Sequence, residues 1–239
     1  MHDAHVHLDF MANGEIVAAD AAAAGVRLFA NTVTPEGYDA ARERFADLDN
    51  VRIGWGMHPW WVDDSTPPLH VPEGARFIGE VGLDFGKAHL ESREAQLATF
   101  AGIARDCADQ GDKVLSIHTV HAARETLDLL ESCGTLETCS CIFHWYSGPS
   151  DQLKRAVNAG CFFSVGPRMI STRKGREYVK AIPAKRLLLE TDAPPGEGVP
   201  YSFSELQSEL EVAAQTVAAI KGEGVLETLD DTFNMLFNQ

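Results

Sequence analysis

Two segments of the chain indicate its fold: Lys113-Val114-Leu115-Ser116-Ile117-His118 and Cys139-Ser140-Cys141-Ile142-Phe143-His144. Each is a short run of apolar and β-branched residues, typical of a buried strand, and each ends in a histidine. The chain between them has helical spacing. A strand, a helix and a second strand in this order form a βαβ unit, in which the two strands are parallel.

Six further runs extend this pattern in both directions along the chain. They begin near Asp3-Ala4-His5-Val6-His7-Leu8, Val26-Arg27-Leu28-Phe29-Ala30, Val51-Arg52-Ile53-Gly54-Trp55, Arg76-Phe77-Ile78-Gly79-Glu80, Cys161-Phe162-Phe163-Ser164-Val165 and Arg186-Leu187-Leu188-Leu189-Glu190. Helix-like stretches separate them, and the last helices are expected over 205–220 and 226–237. Eight such units close a barrel more naturally than an open sheet. The sequence therefore predicts an α/β fold, a (β/α)₈ TIM barrel, as a single domain over residues 1–239.

Composition narrows the function classes. The net charge of −15, from 20 basic and 35 acidic residues, argues against tight nonspecific binding of nucleic acid through a basic surface. The odd count of five cysteines favours a reducing cytosol over a disulfide framework. Neither a signal peptide nor a membrane-spanning run is recognised. We therefore expect a cytoplasmic protein with no membrane contact and no obligate protein partner.

Polar residues that can bind metal ions recur where these runs end. His5 and His7 close the first run, Glu80 closes the fourth, His118 the fifth and His144 the sixth, and Asp192 follows the eighth. The carboxyl ends of barrel strands converge on one mouth, where the chemistry of such barrels takes place. Four imidazoles and two carboxylates can hold two divalent ions if one carboxylate bridges. Such a pair suits displacement at phosphorus or hydrolysis of a carbonyl.

Strand parity supports this interpretation. Residues i and i+2 of a strand share a face, so His5 and His7 point the same way. In the sixth run, the face of His144 also carries Ile142 and Ser140. Cys139 and Cys141 then lie on the opposite face, which predicts that they pack under helices rather than bind a metal ion.

Several motifs resemble those of the TatD-related metal-dependent deoxyribonucleases. The motifs run in order along the chain: Asp3-Ala4-His5-Val6-His7-Leu8-Asp9-Phe10, Gly56-Met57-His58-Pro59, Gly79-Glu80-Val81-Gly82-Leu83-Asp84-Phe85, Ile117-His118, Phe143-His144-Trp145-Tyr146-Ser147-Gly148, Leu188-Leu189-Glu190-Thr191-Asp192-Ala193-Pro194 and Thr232-Phe233-Asn234-Met235-Leu236-Phe237. The resemblance implies an amidohydrolase-like barrel and hydrolysis of DNA phosphodiesters, often from a 3′ end, with Mg²⁺ or a similar ion. It also implies one ion on His5, His7, Glu80 and Asp192, and a second ion on Glu80, His118 and His144.

The chain departs from the family pattern at the substrate rim. Thr119-Val120 stands where the family usually carries Ser-Arg, so an expected phosphate-binding arginine is missing. The segment after Pro194 is short and acidic, where the family usually has a longer loop with basic elements. The predicted chemistry is unaffected, because neither departure touches a predicted ligand, but the substrate is less well defined.

The following roles of the predicted site residues are hypotheses. Two divalent ions (Mg²⁺, Mn²⁺ or Zn²⁺) activate a water, Glu80 bridges them, and Asp192 is both a ligand and the general base. Glu190 shares the parity of Asp192 and either orients a ligand histidine or is a strand carboxylate satisfied by a neighbouring donor.

Four more residues are predicted to bind substrate. His58 and Arg168 are expected to contact the phosphate, and Trp60 and Trp145 are expected to stack unpaired bases. Trp61 and Tyr146 are further stacking candidates, and packing at the barrel rim is the alternative for all four aromatic residues. For Arg173, Lys174 and Arg176, a solvated helix face is the favoured interpretation.

The predicted activity is a 3′-5′ exodeoxyribonuclease acting on single-stranded DNA ends. The alternative is a metallohydrolase of another ester, such as D-aminoacyl-tRNA, because the same barrel and ligands serve carbonyl chemistry. A third class, a non-catalytic metal protein or scaffold, is disfavoured because all six predicted ligands are present.

Overall fold

The computed structural model describes residues 1–237, and within them a strand lies at each of the eight predicted runs. The strands are β1 His2–Val6, β2 Arg27–Asn31, β3 Val51–Met57, β4 Phe77–Asp84, β5 Val114–Val120, β6 Ser140–His144, β7 Phe162–Val165 and β8 Leu187–Leu189. Neighbours along the chain pair in parallel, in the order β1 to β8. The predicted α/β barrel is confirmed.

Helices cover the outside of the barrel. They are α1 Gly14–Ala23, α2 Pro35–Arg44, α3 Arg93–Gln110, α4 Ala123–Ser132, α5 Thr135–Thr138, α6 Ser150–Asn158, α7 Pro167–Ile170, α8 Arg173–Ala181, α9 Phe203–Lys221 and α10 Val225–Phe237. Local start signals explain some of their bounds: Thr34 caps α2, and Ser202 forms a capping box with Glu205 at the start of α9. No helix in the part of the chain that the structure describes is long and apolar enough to cross a membrane.

Backbone hydrogen bonds close the barrel between β1 and the segment that follows β8. The N–H of Asp192 donates to the carbonyl of His5 at 2.9 Å, and the N–H of His7 donates to the carbonyl of Ala193 at 2.8 Å. This seam places Asp192 beside His5 and His7, although β1 and the segment after β8 are far apart in the sequence.

The core has two apolar layers, one between sheet and helices and one inside the barrel. The inner layer contains Ala4, Phe29, Val114, Ile142, Phe162, Leu188, Phe233, Leu236 and Phe237. Phe237 of α10 stacks on Phe77 with ring centroids 5.3 Å apart, so α10 covers the end of the barrel where the strands begin. As predicted, Cys141 and Phe143 pack in the outer layer under helices, and Cys139 packs against it.

Two predicted strand ends are wrong. The sequence placed Glu80 at the end of the fourth strand and His118 at the end of the fifth, but β4 continues to Asp84 and β5 to Val120. The continuation is stable because the two extensions pair with each other, Gly82 with His118 and Asp84 with Val120. Glu80 and His118 therefore project into the barrel from within strands.

Gly79 allows the irregular register that precedes Glu80. The pairing of β4 shifts between Ile78 and Val81, and Gly79 has a φ of +159°. A Cβ there would come within 2.1 Å of Asn31 Oδ1, which no side chain can tolerate. The shift places Glu80 at the centre of the barrel mouth, with its N–H donating to the carbonyl of Thr32 at 2.6 Å.

Candidate active site

A cavity of about 540 Å³ opens at the carboxyl ends of the strands. It is lined by His7, Phe10, Val33, His58, Trp60, Trp61, Glu80, Asp84, His118, Thr119, Val120, His144, Trp145, Ser147, Arg168, Asp192, Pro194, Pro195 and Gly196. Five of the six predicted metal ligands line it, and the sixth, His5, is buried directly beneath. The structure thus brings all six together.

Glu80 lies at the centre of the cluster, and each of its oxygens faces a different pair of histidines. Oε2 is 3.3 Å from Nε2 of His5 and 3.3 Å from Nε2 of His7. Oε1 is 2.8 Å from Nδ1 of His118 and 2.8 Å from Nε2 of His144. A carboxylate in this position can bridge two ions, each held by one histidine pair.

Asp192 lies beside the pair His5 and His7. Its Oδ1 is 3.5 Å from Nε2 of His7 and 3.7 Å from Nε2 of His5. Its Oδ2 accepts a hydrogen bond from Nη1 of Arg168 at 3.3 Å. The backbone of Asp192 has a φ of +56°, an unusual conformation for a residue with a side chain and one that is common at functional sites.

The outer hydrogen bonds of three histidines direct the inner nitrogen of each ring toward Glu80. Nδ1 of His7 lies 2.9 Å from the carbonyl of Asn31, which can only accept, so Nε2 of the neutral ring keeps its lone pair. Nε2 of His118 lies 3.2 Å from the Asp84 carboxylate, and its Nδ1 faces Glu80 at 2.8 Å. Nδ1 of His5 has Ser116 Oγ as its partner at 2.7 Å. Such outer partners are typical of histidines that bind metals, and the donor set fits divalent ions.

His58 has the opposite arrangement. Its Nδ1 accepts the backbone N–H of Trp60 at 3.1 Å, so the proton of a neutral ring lies on Nε2. That nitrogen is 3.2 Å from Oε1 of Glu80. His58 therefore lies within reach of Glu80 and His118, as a metal ligand would, but its inner nitrogen carries a hydrogen. This favours the predicted role of His58 as a donor to substrate over a role as ligand.

The charges of the cluster depend strongly on one another. Burial lowers the pKa of His118, but its hydrogen bonds to Asp84 and Glu80 outweigh burial and raise the pKa to about 9. Burial raises the pKa of Glu80, yet the neighbouring histidines, His58 first, hold it well below its ordinary value. Burial lowers the pKa of His58 to about 4, so its ring is neutral.

Glu190 lies under the cluster, as its parity predicted. Its Oε1 accepts the N–H of Trp145 at 3.0 Å, and its Oε2 accepts the hydroxyl of Ser164. The same Oε2 is 3.9 Å from Nδ1 of His144, which has no hydrogen-bond partner among the described residues. Burial raises the pKa of Glu190 to about 7. Each of the two interpretations of Glu190, orientation of a ligand histidine and a carboxylate satisfied by neighbouring donors, is therefore supported by a contact.

Three tryptophans surround the mouth, and Tyr146 does not. Trp60, Trp61 and Trp145 are partly exposed, whereas Tyr146 is 1% exposed and donates its hydroxyl to the carbonyl of Pro149. The suggested stacking role of Tyr146 is wrong, because its ring packs among the rings of the outer core.

The basic residues of α8 lie mostly on its solvent-exposed face. Arg176 donates to the carbonyls of Ile170 and Ser171, as a residue of the protein surface does. Lys174 differs, because its Nζ donates to the carbonyl of Ser147 at 2.7 Å, and Ser147 lines the cavity. Lys174 therefore lies at the rim, which the sequence interpretation missed.

Two site residues were not singled out from the sequence. Asp84 accepts the indole N–H of Trp60 at 2.6 Å and holds His118, and Ser116 holds His5. Both share parity with predicted ligands on their own strands, Asp84 with Glu80 and Ser116 with His118. Parity was therefore the signal that could have identified them.

A parallel barrel that brings four histidines and two carboxylates together at the carboxyl ends of its strands defines the class of metal-dependent hydrolases. The family model of the TatD related DNases matches residues 2–238. The chain belongs to this family. It is a hydrolase that acts on ester bonds and depends on metal.

The names and folds of individual relatives agree with this family assignment. The chain is 27% identical to the Escherichia coli uncharacterized metal-dependent hydrolase YcfH, over 99% of this chain and 95% of that protein. It is 29% identical to the 3′-5′ ssDNA/RNA exonuclease TatD of Klebsiella pneumoniae, over 81% of this chain and 78% of that protein. The crystal structure of the Escherichia coli TatD homologue YjjV superimposes with a TM-score of 0.78 at 20% identity, covering 100% of this chain and 98% of that one, which shows a shared fold.

Proposed function

We propose that the protein is a 3′-5′ exodeoxyribonuclease that removes nucleotides from single-stranded DNA ends with two divalent ions. The observation that carries this proposal is the position of Glu80, whose two oxygens each face their own pair of histidines. A single structural ion would not need two separate donor groups around one carboxylate. Two adjacent ions can stabilise both the attacking and the leaving oxygen of a displacement at a phosphodiester.

The residues would divide into two groups that share Glu80. His5, His7, Glu80 and Asp192 would hold the first ion, and Glu80, His118 and His144 the second. Bound there, Mg²⁺, Mn²⁺ or Zn²⁺ would lower the pKa of a water and offset the charge of the phosphate. Glu190 lies close enough to His144 to fix the orientation of its ring once the ring turns Nδ1 toward it.

Asp192 is the proposed general base. One of its oxygens faces the histidine pair of the first group, and the other is held by Arg168. The pKa of Asp192 stays below its ordinary value, because the hydrogen bond from His7 and the nearby histidine charges outweigh burial. The carboxylate is therefore ionised at neutral pH and able to accept the proton of the attacking water.

Two donors would hold the phosphate from opposite sides of Glu80. Nε2 of His58, which lines the cavity 3.2 Å from Oε1 of Glu80, carries the hydrogen, and its neutral ring needs no compensating charge. Arg168 contributes a guanidinium that lies 5.5 Å from the centre of the Trp145 ring, a cation–π contact that fixes its plane.

The preference for single strands rests on what lines the mouth. Arg168 is the one lysine or arginine among the cavity-lining residues that the structure describes, whereas Trp60, Trp61 and Trp145 all line it. Stacking on aromatic rings stabilises an unpaired base by about 1–3 kcal/mol and needs no charge. The relative from Klebsiella pneumoniae is itself named a 3′-5′ ssDNA/RNA exonuclease, which supports the same polarity here.

The test is a hydrolysis assay of the metal-loaded protein on a single-stranded oligonucleotide labelled at the 5′ end. A ladder that shortens from the 3′ end is expected, and Asp192→Asn should slow its appearance by about 10²-fold or more. D-aminoacyl-tRNA serves as the competing ester in a parallel assay. Release of the amino acid, with the oligonucleotide left intact, would replace the nuclease by a carbonyl esterase.

A further inference from the structure

The cavity mouth has two unlike walls. The aromatic wall is formed by Trp60 and Trp61 after β3, Asp84 at the end of β4, and Thr119 and Val120 at the end of β5. The cationic wall is formed by Trp145 and Ser147 after β6, Arg168 after β7, and Lys174, which is hydrogen-bonded to Ser147. In a barrel whose strands follow in order, β3 and β7 lie opposite each other, so the two walls face each other across the ligands.

The aromatic wall is rigid and open. The indole N–H of Trp60 donates to Asp84 at 2.6 Å, and its ring stacks on His89 with centroids 4.9 Å apart. Trp61 lies nearly parallel to Trp60, with 20° between the ring planes. Even so, Trp60 and Trp61 are 53% and 45% exposed. Flat rings held in place and left open to solvent are suited to receive another flat ring.

The aromatic wall also lacks positive charge. None of its five residues is a lysine or arginine, and its one ionisable group is the Asp84 carboxylate. A second phosphate placed on this side would meet the Asp84 carboxylate, with no lysine or arginine among the five wall residues to pair with it. On the cationic wall, by contrast, Arg168 and Lys174 can each meet a phosphate.

We propose that the terminal nucleoside of the strand lies on the aromatic wall with a free hydroxyl, and that an end carrying a terminal phosphate is a poor substrate. The inference rests on the proposed nuclease function and adds the chemistry of the end that the site accepts. The base of the terminal nucleoside covers Trp60 and Trp61. The scissile phosphate lies between the walls, and the rest of the strand leaves past Arg168 and Lys174, where its phosphates find cations.

The experiment compares two single-stranded oligonucleotides of the same sequence, one ending in a 3′-hydroxyl and one in a 3′-phosphate. We expect the hydroxyl end to be shortened at least about tenfold faster, because a terminal dianion is juxtaposed with a carboxylate in a partly dry cavity. Val120→Arg places a cation on the aromatic wall and should reduce this ratio. Val120→Met adds similar bulk without charge and should leave the ratio high.

The outcomes separate this inference from the function on which it rests. Equal rates on the two ends would overturn the hydroxyl preference and leave the nuclease function intact. An unchanged ratio in a folded Val120→Arg protein would also overturn it, since the ratio would then not depend on charge at this wall. If the protein hydrolyses neither oligonucleotide but does hydrolyse another ester, the proposed function itself is wrong, and the inference fails with it.

Discussion

Asp3 accepts the hydroxyl of Thr191 at 2.6 Å and the backbone N–H of the same residue at 3.0 Å. This contact joins β1 to the segment after β8, directly below the seam that places Asp192 beside His5. Because Asp3 also accepts the N–H of His5 at 3.1 Å, one buried carboxylate organises backbone on both sides of the first ligand group. The ligands are thus positioned by hydrogen bonds of the protein itself.

Metal removal should therefore abolish turnover without unfolding the chain. Chelation followed by dialysis is expected to reduce hydrolysis to background, and addition of Mg²⁺, Mn²⁺ or Zn²⁺ is expected to restore it. The circular dichroism spectrum should keep its helical signal throughout, with a lower melting temperature because bound ions stabilise the folded state. Full activity in excess chelator would contradict the two-ion proposal.

The sequence alone predicted most of this architecture because the strands are short, apolar and regularly spaced. Parity placed His144, Ser140 and Ile142 on one face of β6, and the structure agrees. It could not predict the bounds of β4 and β5, because those depend on the pairing of Gly82 with His118, a contact between distant segments. The choice between stacking and packing for Tyr146 stayed open for a similar reason: only the packed core decides which ring of Trp145-Tyr146 faces inward.

Asp192→Asn should lower the hydrolysis rate by about 10²-fold or more, as expected when a positioned proton acceptor is removed. The amide keeps the shape of the side chain, so the melting temperature should change little. The matched control is Asp128→Asn, which breaks an exposed ion pair with Arg155 and should leave the rate unchanged. A near-normal rate in a folded Asp192→Asn protein would mean that another group takes the proton.

The hydrogen-bond partners of the histidines predict which substitutions cost metal. His118→Ala removes a nitrogen that faces Glu80 at 2.8 Å and should lower the bound metal from two ions toward one per chain. His58→Ala removes a ring whose inner nitrogen carries hydrogen, so metal content should stay at the wild-type level. His70→Ala, at a side chain that is 86% exposed, is the control for the loss of any histidine. Atomic absorption of the dialysed proteins gives the counts, and loss of metal in His58→Ala would make His58 a ligand.

Ion affinity should rise with pH. Burial lowers the pKa of both His118 and His7, but hydrogen bonds to carboxylates outweigh it. Those to Asp84 and Glu80 raise the pKa of His118 to about 9, and those to Asp192 and Glu80 raise the pKa of His7 well above its ordinary value. A raised pKa favours the protonated ring, and that proton must leave before the ring can bind an ion. Mn²⁺ should therefore bind more weakly as pH falls from about 9, with proton release on binding. Calorimetry in buffers of different ionisation enthalpy measures both quantities, and a pH-independent affinity would contradict the assignment of these two rings.

The protein should distinguish single-stranded from duplex nucleic acid. Duplex DNA carries one phosphate charge for about every 1.7 Å of its length, so tight binding requires many basic contacts. This chain has a net charge of −15, and among the described residues lining the cavity Arg168 is the one lysine or arginine. Unpaired bases can instead stack on Trp60 and Trp61, which together expose about half of their surfaces at the mouth.

We therefore expect single-stranded and short oligonucleotide ends to be hydrolysed faster than blunt duplex ends, with a shallow dependence on salt. Trp60→Ala should raise the KM for a single strand by roughly tenfold, the equivalent of one lost stacking contact. Trp60→Phe keeps an aromatic face, gives up the hydrogen bond to Asp84, and should retain most of the affinity. Rates on matched single-stranded, blunt duplex and closed circular DNA across a range of salt concentrations measure the preference. Efficient cleavage of closed circles with a steep salt slope would require a basic groove, and binding would then depend on charge rather than on the aromatic wall.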